Sequence, residues 1–162
     1  DVLYHPNLIQ RLATPNENSH ILYDTDYEPG DEPVMLCLVN GEIVEFRKNI
    51  NIDSDIRGEW PGFVKWSSAA ASQIADIIDD ILVKGSTQQP YEDAFREYML
   101  SAKAASIQCD DITGLPWIEI DFSVDIERAN AEVLPRILAA ERIRPALTMI
   151  DRDISQGERL RL

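Results

Sequence analysis

The spacing of apolar and polar positions predicts an alternation of strands and helices along most of the chain. "DVLY", residues 1–4, reads as the end of a strand, and "HPNLIQRLAT" as a short helix with Pro6 in its first turn. "SHILYDT" is apolar between polar flanks, the pattern of a buried strand. In "VMLCLVNGEIVEFRK" two apolar runs flank Asn40-Gly41, a dipeptide that supplies the positive φ angles of a type I′ hairpin turn. "GEWPGFVKWS" reads as a further strand broken by Pro61 and Gly62, which mark a bulge or a close backbone approach to a ligand. Then the period changes. Ile74, Ile77, Ile78, Ile81 and Leu82 form a helical stripe that Gly85 stops. In "PYEDAFREYMLSA", Tyr91, Ala94, Phe95, Tyr98 and Met99 share a second helical face. "ASIQCDDI" is a strand, and Gly114 turns the chain into "PWIEIDFSVDIERANAEVLPRI", a short strand running straight into a helix. Long helices between nearly buried strands favour a mixed α/β sheet. Residues 1–140 read as the domain, and 141–162 as a helical extension with a polar tail.

Composition narrows the partners. The chain has 162 residues, one domain's length, and 44% hydrophobic content suffices for a core. Its 15 basic and 29 acidic residues give a net charge of −14, which argues against nucleic acid and membrane surfaces, since both repel such a field. A nucleotide remains compatible, because a bound divalent cation reverses the local sign. Cys37 and Cys109 read as free thiols, pointing to a reducing, cytoplasmic setting. His5 and His20 are too few and too scattered for a zinc site. No long apolar run or signal peptide appears. The chain opens on Asp1, as if within a strand already under way, and is expected to be a fragment.

Several chemistries drop out. The sequence has no G-x-S-x-G elbow, P-loop or dinucleotide fingerprint. The acidic loop from Asp24 to Glu32 misses the EF-hand spacing, with Gly30 one place late and Met35 where the closing Glu should stand. What remains is acids at strand ends. In "WIEID", Trp117, Glu119 and Asp121 share one face, while Ile118, Ile120 and Phe122 share the face suited to a sheet core. Ser123 is the expected helix N-cap, and Asp125 and Glu127 complement the helix dipole. The acids are either solvated at a strand exit or a magnesium-binding edge, since open α/β sheets put ligands there. Asp1, Asp121 and Lys48, which closes the hairpin, are the minimal set for phosphoryl or nucleotidyl transfer. Read on its own, Lys48 is better taken as a solvated hairpin lysine.

"DVLYHP", "GDEPVMLCLVNGEIVEFRK", "GEWPGFVKW", "QPYEDAFREYML" and "PWIEIDFSVDIERANAEVLPRI" together resemble the sugar-phosphate and phosphocholine nucleotidyltransferase family, especially its small bacterial cytidylyltransferase-like members. The resemblance implies an α/β fold of the nucleotide-diphospho-sugar transferase type, a mixed, mostly parallel sheet flanked by helices in three α/β/α layers. The family's opening Gly-rich loop has no counterpart, so the amino-terminal part is expected to be missing. The resemblance assigns Mg²⁺ to Asp1 and Asp121 and phosphate contact to Lys48. It places Glu119, Trp60, Phe63, Tyr91, Glu92 and Asp93 in substrate binding, where aromatics beside acids suit a cationic head group. The implied partners are an NTP, CTP by resemblance, and a small phosphorylated or phosphonate acceptor; a homodimer is left open. The implied reaction transfers a nucleotidyl group and releases pyrophosphate. A sugar-1-phosphate acceptor, or a non-catalytic module that keeps the fold, is the alternative.

Overall fold

The computed structural model describes residues 1–13, 15–27, 33–101 and 107–141. The predicted elements form in the predicted order: β1 (Val2–Tyr4), α1 (Asn7–Leu12), β2 (Ser19–Tyr23), β3 (Met35–Val39), β4 (Glu42–Arg47), β5 (Ile56–Glu59), β6 (Val64–Lys65), α2 (Ser68–Val83), α3 (Tyr91–Met99), β7 (Ile107–Asp111), β8 (Trp117–Glu119) and α4 (Ser123–Arg128). After α4 come a π-helical turn, Ala129–Val133, and a helix over 134–141. Of the expected extension at 141–162, residues 142–162 lie outside the described residues. The chain divides into two compact units. One joins Asp1–His5 to the chain from Leu115 onward, and the other is Pro6–Gly114.

In Pro6–Gly114, β3 is the centre of an antiparallel sheet, β4-β3-β5, and β2 the centre of another, β6-β2-β7. Only the β2–β7 pair is parallel among the described strands; β2–β6 is antiparallel. The expectation of a mostly parallel sheet is therefore corrected. Antiparallel neighbours need only tight turns, and the chain supplies one between β3 and β4. Asn40 and Gly41 stand at φ +53° and +82°, as a type I′ turn requires. Pro61-Gly62, with Gly62 at φ +86°, breaks the predicted single strand into β5 and β6.

The core follows the apolar runs. Ile21, Tyr23, Leu36, Leu38, Phe46, Trp60 and Met99 form its main cluster. Ala70, Ile74 and Tyr98 form a second, where α2 meets α3. Ser67 caps α2 by accepting the Ala70 N–H (3.1 Å), and Gly85 at φ +81° ends it, its N–H donating to Leu82 O. The predicted stripe is buried at Ile74, half-buried at Ile77, Ile78 and Ile81, and exposed by Leu82.

In the other unit, β1 and β8 form an antiparallel ribbon pairing Val2 with Glu119, Leu3 with Ile118 and Tyr4 with Trp117. Two expectations fail here. Phe122 lies past the end of β8 and is 59% exposed, so it does not join Ile118 and Ile120 against a core. Ser123 is the first helical residue and Phe122 holds the N-cap position, where no side-chain hydroxyl is present. Asp125, inside the helix, instead accepts the N–H groups of Asp121 and of Phe122 at the cap.

Candidate functional site

The β1–β8 ribbon brings Asp1 and Asp121 to one end. Its antiparallel register continues one step beyond the Val2–Glu119 pair, where the Ile120 N–H donates to the Asp1 carbonyl at 2.6 Å. Asp121 is the next residue and is exposed. Glu119 sits opposite Val2 and is exposed as well. Three of the sequence-predicted carboxylates thus share the end of a single two-stranded element. The backbone of Asp121 is held from both sides: Asp125 Oδ2 accepts the Asp121 N–H at 3.1 Å and the Phe122 N–H at 2.8 Å. No group of three or more His, Cys, Asp or Glu side chains placed to hold a metal ion occurs among the described residues.

The other predicted residues all belong to Pro6–Gly114. Lys48 follows β4 and is exposed. Trp60 is 7% exposed and belongs to the core cluster. Its ring packs edge-on against Phe46, Phe95 and Tyr91 at centroid distances of 5.3, 6.2 and 6.5 Å. Its indole N–H donates to the Phe63 carbonyl at 3.1 Å, which satisfies the one polar group the ring carries. Phe63 is half-buried, and Tyr91, at the start of α3, is 57% exposed. Glu92 and Asp93 occupy the first turn of α3, where negative charge also complements the helix dipole. Trp60 therefore works as the base of an aromatic layer that ends at the exposed ring of Tyr91.

Sequence reasoning passed over the buried polar groups. Glu45 is buried on β4 and accepts a fork of hydrogen bonds from Arg96 of α3, Nε to Oε1 at 2.5 Å and an Nη to Oε2 at 2.9 Å. That fork holds the Glu45 carboxyl below its ordinary 4.5, against the opposing effect of burial, and raises the Arg96 guanidinium. Asp24 and Glu59 are both buried and exchange two backbone hydrogen bonds, of 2.9 and 2.8 Å. His20 lies in β2 with Nδ1 2.9 Å from Asp110 Oδ2 and Nε2 3.0 Å from Asn16 Oδ1. Burial, then the nearby Asp110, pushes the Cys109 thiol up to about 12; Cys37 is free and fully buried. Tyr23 is raised too, first by burial and then by Asp111. Asp125, read in the sequence as an acid complementing the helix dipole, also stands three residues after the N-cap Phe122, the spacing from which a side chain reaches back to the cap N–H.

No protein-family model matches the chain. It is 26% identical over 145 residues to the CTP:phosphoglutamine cytidylyltransferase of Campylobacter jejuni, an alignment that spans 78% of this chain and 55% of that protein. The fold is similar to that of the inositol-1-phosphate CTP transferase from T. maritima, with a TM-score of 0.53 and 15% identity over 85% of this chain and 53% of that one. It is also similar to a putative glucose-1-phosphate thymidylyltransferase from Bacillus anthracis, solved in complex with a sucrose. There the TM-score is 0.57 and the identity 15%, over 81% of this chain and 50% of that one. The chain spans about half the length of each of these three proteins. No helix among the described residues is long and apolar enough to cross a membrane. The chain has an α/β, three-layer nucleotidyltransferase-like fold related to those of cytidylyltransferases and thymidylyltransferases.

Proposed function

We propose that this chain serves magnesium-assisted nucleotidyl transfer from CTP to a small phosphorylated or phosphonate acceptor. The observation that supports the reading is that the backbones of Asp1 and Asp121 lie at one end of the β1–β8 ribbon, although they are far apart in sequence. Its context is a chain related in sequence to a CTP-using cytidylyltransferase. Two carboxylates suffice for Mg²⁺, which takes one or two from protein and completes its octahedron with water and substrate phosphate oxygens. Asp1 and Asp121 would hold the ion, whereas Glu119, opposite Val2, stands on the other face of the ribbon from Asp1. When bound, the ion would supply charge neutralisation at the phosphates. Lys48 carries the phosphate-contacting role that the resemblance gives it. In the reaction an acceptor oxygen attacks the α-phosphorus in line, and the bond to the bridging oxygen breaks to release pyrophosphate.

The acceptor side would be read by Tyr91, Glu92 and Asp93, with Trp60 and Phe63 as support beneath, a combination suited to a cationic head group. Titration calorimetry of the chain against the four ribonucleoside triphosphates and a panel of phosphoalcohols, aminophosphonates and sugar 1-phosphates tests this, alongside pyrophosphate release. CTP and a cationic acceptor should give the strongest signals, and Glu92→Gln with Asp93→Asn should weaken the acceptor more than CTP. Preference for another nucleotide overturns the CTP assignment, and equal losses for both substrates overturn the acceptor site. A chain that binds the substrates without releasing pyrophosphate acts as a binding module.

A further inference from the structure

His20 is buried in β2, 1% exposed, and each of its ring nitrogens faces an oxygen. Nδ1 stands 2.9 Å from Asp110 Oδ2 of β7, and Nε2 stands 3.0 Å from Asn16 Oδ1, in the stretch before β2. A neutral imidazole has one N–H and one bare nitrogen, so it donates to only one of the two. Turning the Asn16 amide over would offer Nε2 an N–H instead, but the surroundings of that amide fix it. The Asn18 N–H donates to Asn16 Oδ1 at 3.2 Å. The Lys65 ammonium donates to the same oxygen at 3.3 Å and to the Asn16 carbonyl at 2.7 Å. An NH2 group in that place would face two donors. The oxygen therefore stays towards His20, and Nε2 carries a proton. On the other side Asp110 Oδ1 accepts the Gln108 amide at 2.8 Å, which leaves Oδ2 to accept from Nδ1. Imidazole is a stronger base than carboxylate, so the proton between them sits on the ring. Both contacts are made only by an imidazole with two protons.

We propose that His20 is a proton-dependent clamp: as an imidazolium it ties residues 15–18 and β7 to β2, and loss of one ring proton frees residues 15–18 by breaking the Nε2–Asn16 bond. The proton at Nδ1 is the one retained, because a hydrogen bond to a charged acceptor is the stronger of the two. Charges reach the ring from both neighbouring strands. Asp110 of β7 favours the second proton, and Lys65 of β6, paired with His20 in the ladder, opposes it. Elsewhere around β2, Glu17 is exposed and Arg11 of α1 donates to the Asp111 carbonyl. The folded geometry needs both protons, whereas a free imidazole gives one up near pH ~6.5. The contribution of the clamp is therefore full below that pH and falls as pH rises, the direction in which the unfolded chain binds fewer protons.

Long-range ¹H–¹⁵N NMR of the 162-residue chain labelled at histidine tests the protonation, with His20 assigned from a His20→Gln chain. At pH 7.5 both ring nitrogens of His20 should carry protons; one bare ring nitrogen overturns the proposal. Urea denaturation at pH 5.5 and 7.5 tests the clamp. Across that interval a ring held doubly protonated only in the folded chain lowers the folding equilibrium constant by up to about tenfold. The fall in the parent should exceed that in His20→Gln by about threefold or more, and a smaller excess overturns the clamp. His5 is common to both chains and cancels in the comparison. The Cys109 thiol beside Asp110, pushed up to about 12 by burial, keeps its proton in the folded chain throughout. If His20→Gln does not fold, the NMR is assigned from a His5→Gln chain and the ring protons of the parent decide alone.

Discussion

Removing Arg96 should strand a buried carboxylate, and the cost can be placed between two limits. The Glu45 side chain is 8% exposed and that of Arg96 35%. Breaking a fully buried pair costs about 3–5 kcal/mol, because one charge is left without a partner, whereas exposed pairs are worth about 0.2–1 kcal/mol. Two features lower the cost from the buried limit. Arg96 is itself a third exposed, and Arg47 Nε stays 3.5 Å from Glu45 Oε2 as a partial substitute. Arg96→Met, which keeps the aliphatic stem, should therefore destabilise Pro6–Gly114 by about 2 kcal/mol at pH 7. The pH dependence identifies the cause. Hydrogen bonding to Arg96 depresses the Glu45 pKa, so its contribution is present above the unfolded value near 4.5 and is lost as pH falls through the lower folded value. Without Arg96 the largest cause holding the carboxyl down is gone, and burial is the largest that remains, so the carboxyl takes up its proton at higher pH than in the parent. The penalty of Arg96→Met should then be full at pH 7 and shrink below pH 4.5. Urea denaturation at several pH values, read by the fluorescence of Trp60 and Trp66, measures it. A penalty below about 0.5 kcal/mol at pH 7 would refute the assignment of Glu45 as a buried, dependent charge. So would a penalty that does not change between pH 7 and pH 3.5.

Two further expectations concern packing and burial. A Cβ on Gly58 would stand 2.6 Å from Tyr23 Cδ2 and 3.0 Å from the Asp24 carbonyl, so Gly58→Ala should cost about 1–3 kcal/mol in denaturant titration; a value within 0.3 kcal/mol of the parent would mean that the tyrosine ring moves aside freely. With its thiol pushed up to about 12, Cys109 should hold its proton at pH 8 and react with an aromatic disulfide roughly a thousandfold slower than a free thiol, as seen in a Cys37→Ala chain before and after denaturation. Equal rates folded and unfolded would refute that burial.

What could be read in advance was what local chemistry decides. Asn40-Gly41 announces its turn because few other dipeptides tolerate two positive φ angles, and the Ile74 stripe announces its helix because burial selects one face. The choice between parallel and antiparallel pairing is made by partners distant in sequence, such as Val2 with Glu119, and no local pattern encodes it. Glu45 shows a second limit. In "EIVEFR" a strict alternation separates Glu45 from its neighbours, but the register steps from Cys37–Glu45 to Leu38–Ile43 and leaves Val44 unpaired. That extra residue breaks the period, and both Glu45 and Phe46 are buried. A carboxylate with a partner supplied by α3 has the same letter as one in water. The candidate metal pair was legible because each acid stands next to an apolar strand. Asp125 was legible only as a charge near a helix start, since its two bonds to the Asp121 turn depend on where the N-cap falls.

The division of the chain also bears on the order in which it folds. The ribbon of Asp1–His5 with the Leu115 side is interrupted by Pro6–Gly114, so Tyr4 must find Trp117 across a long stretch of intervening chain. Within that stretch, the two ends are drawn together by its own bonds: Arg11 donates to the Asp111 carbonyl at 2.5 Å, and Ser19 pairs with Ile107. A chain that has already formed β2–β7 behaves, for the strands outside it, like a loop roughly four to five times shorter. By the logarithmic law of loop closure, that lowers the entropic cost of joining β1 to β8 by about 1.3 kcal/mol. Loop closure therefore favours formation of the β2–β7 pair before the ribbon, so the end where Asp1 and Asp121 lie is expected to form after β2–β7.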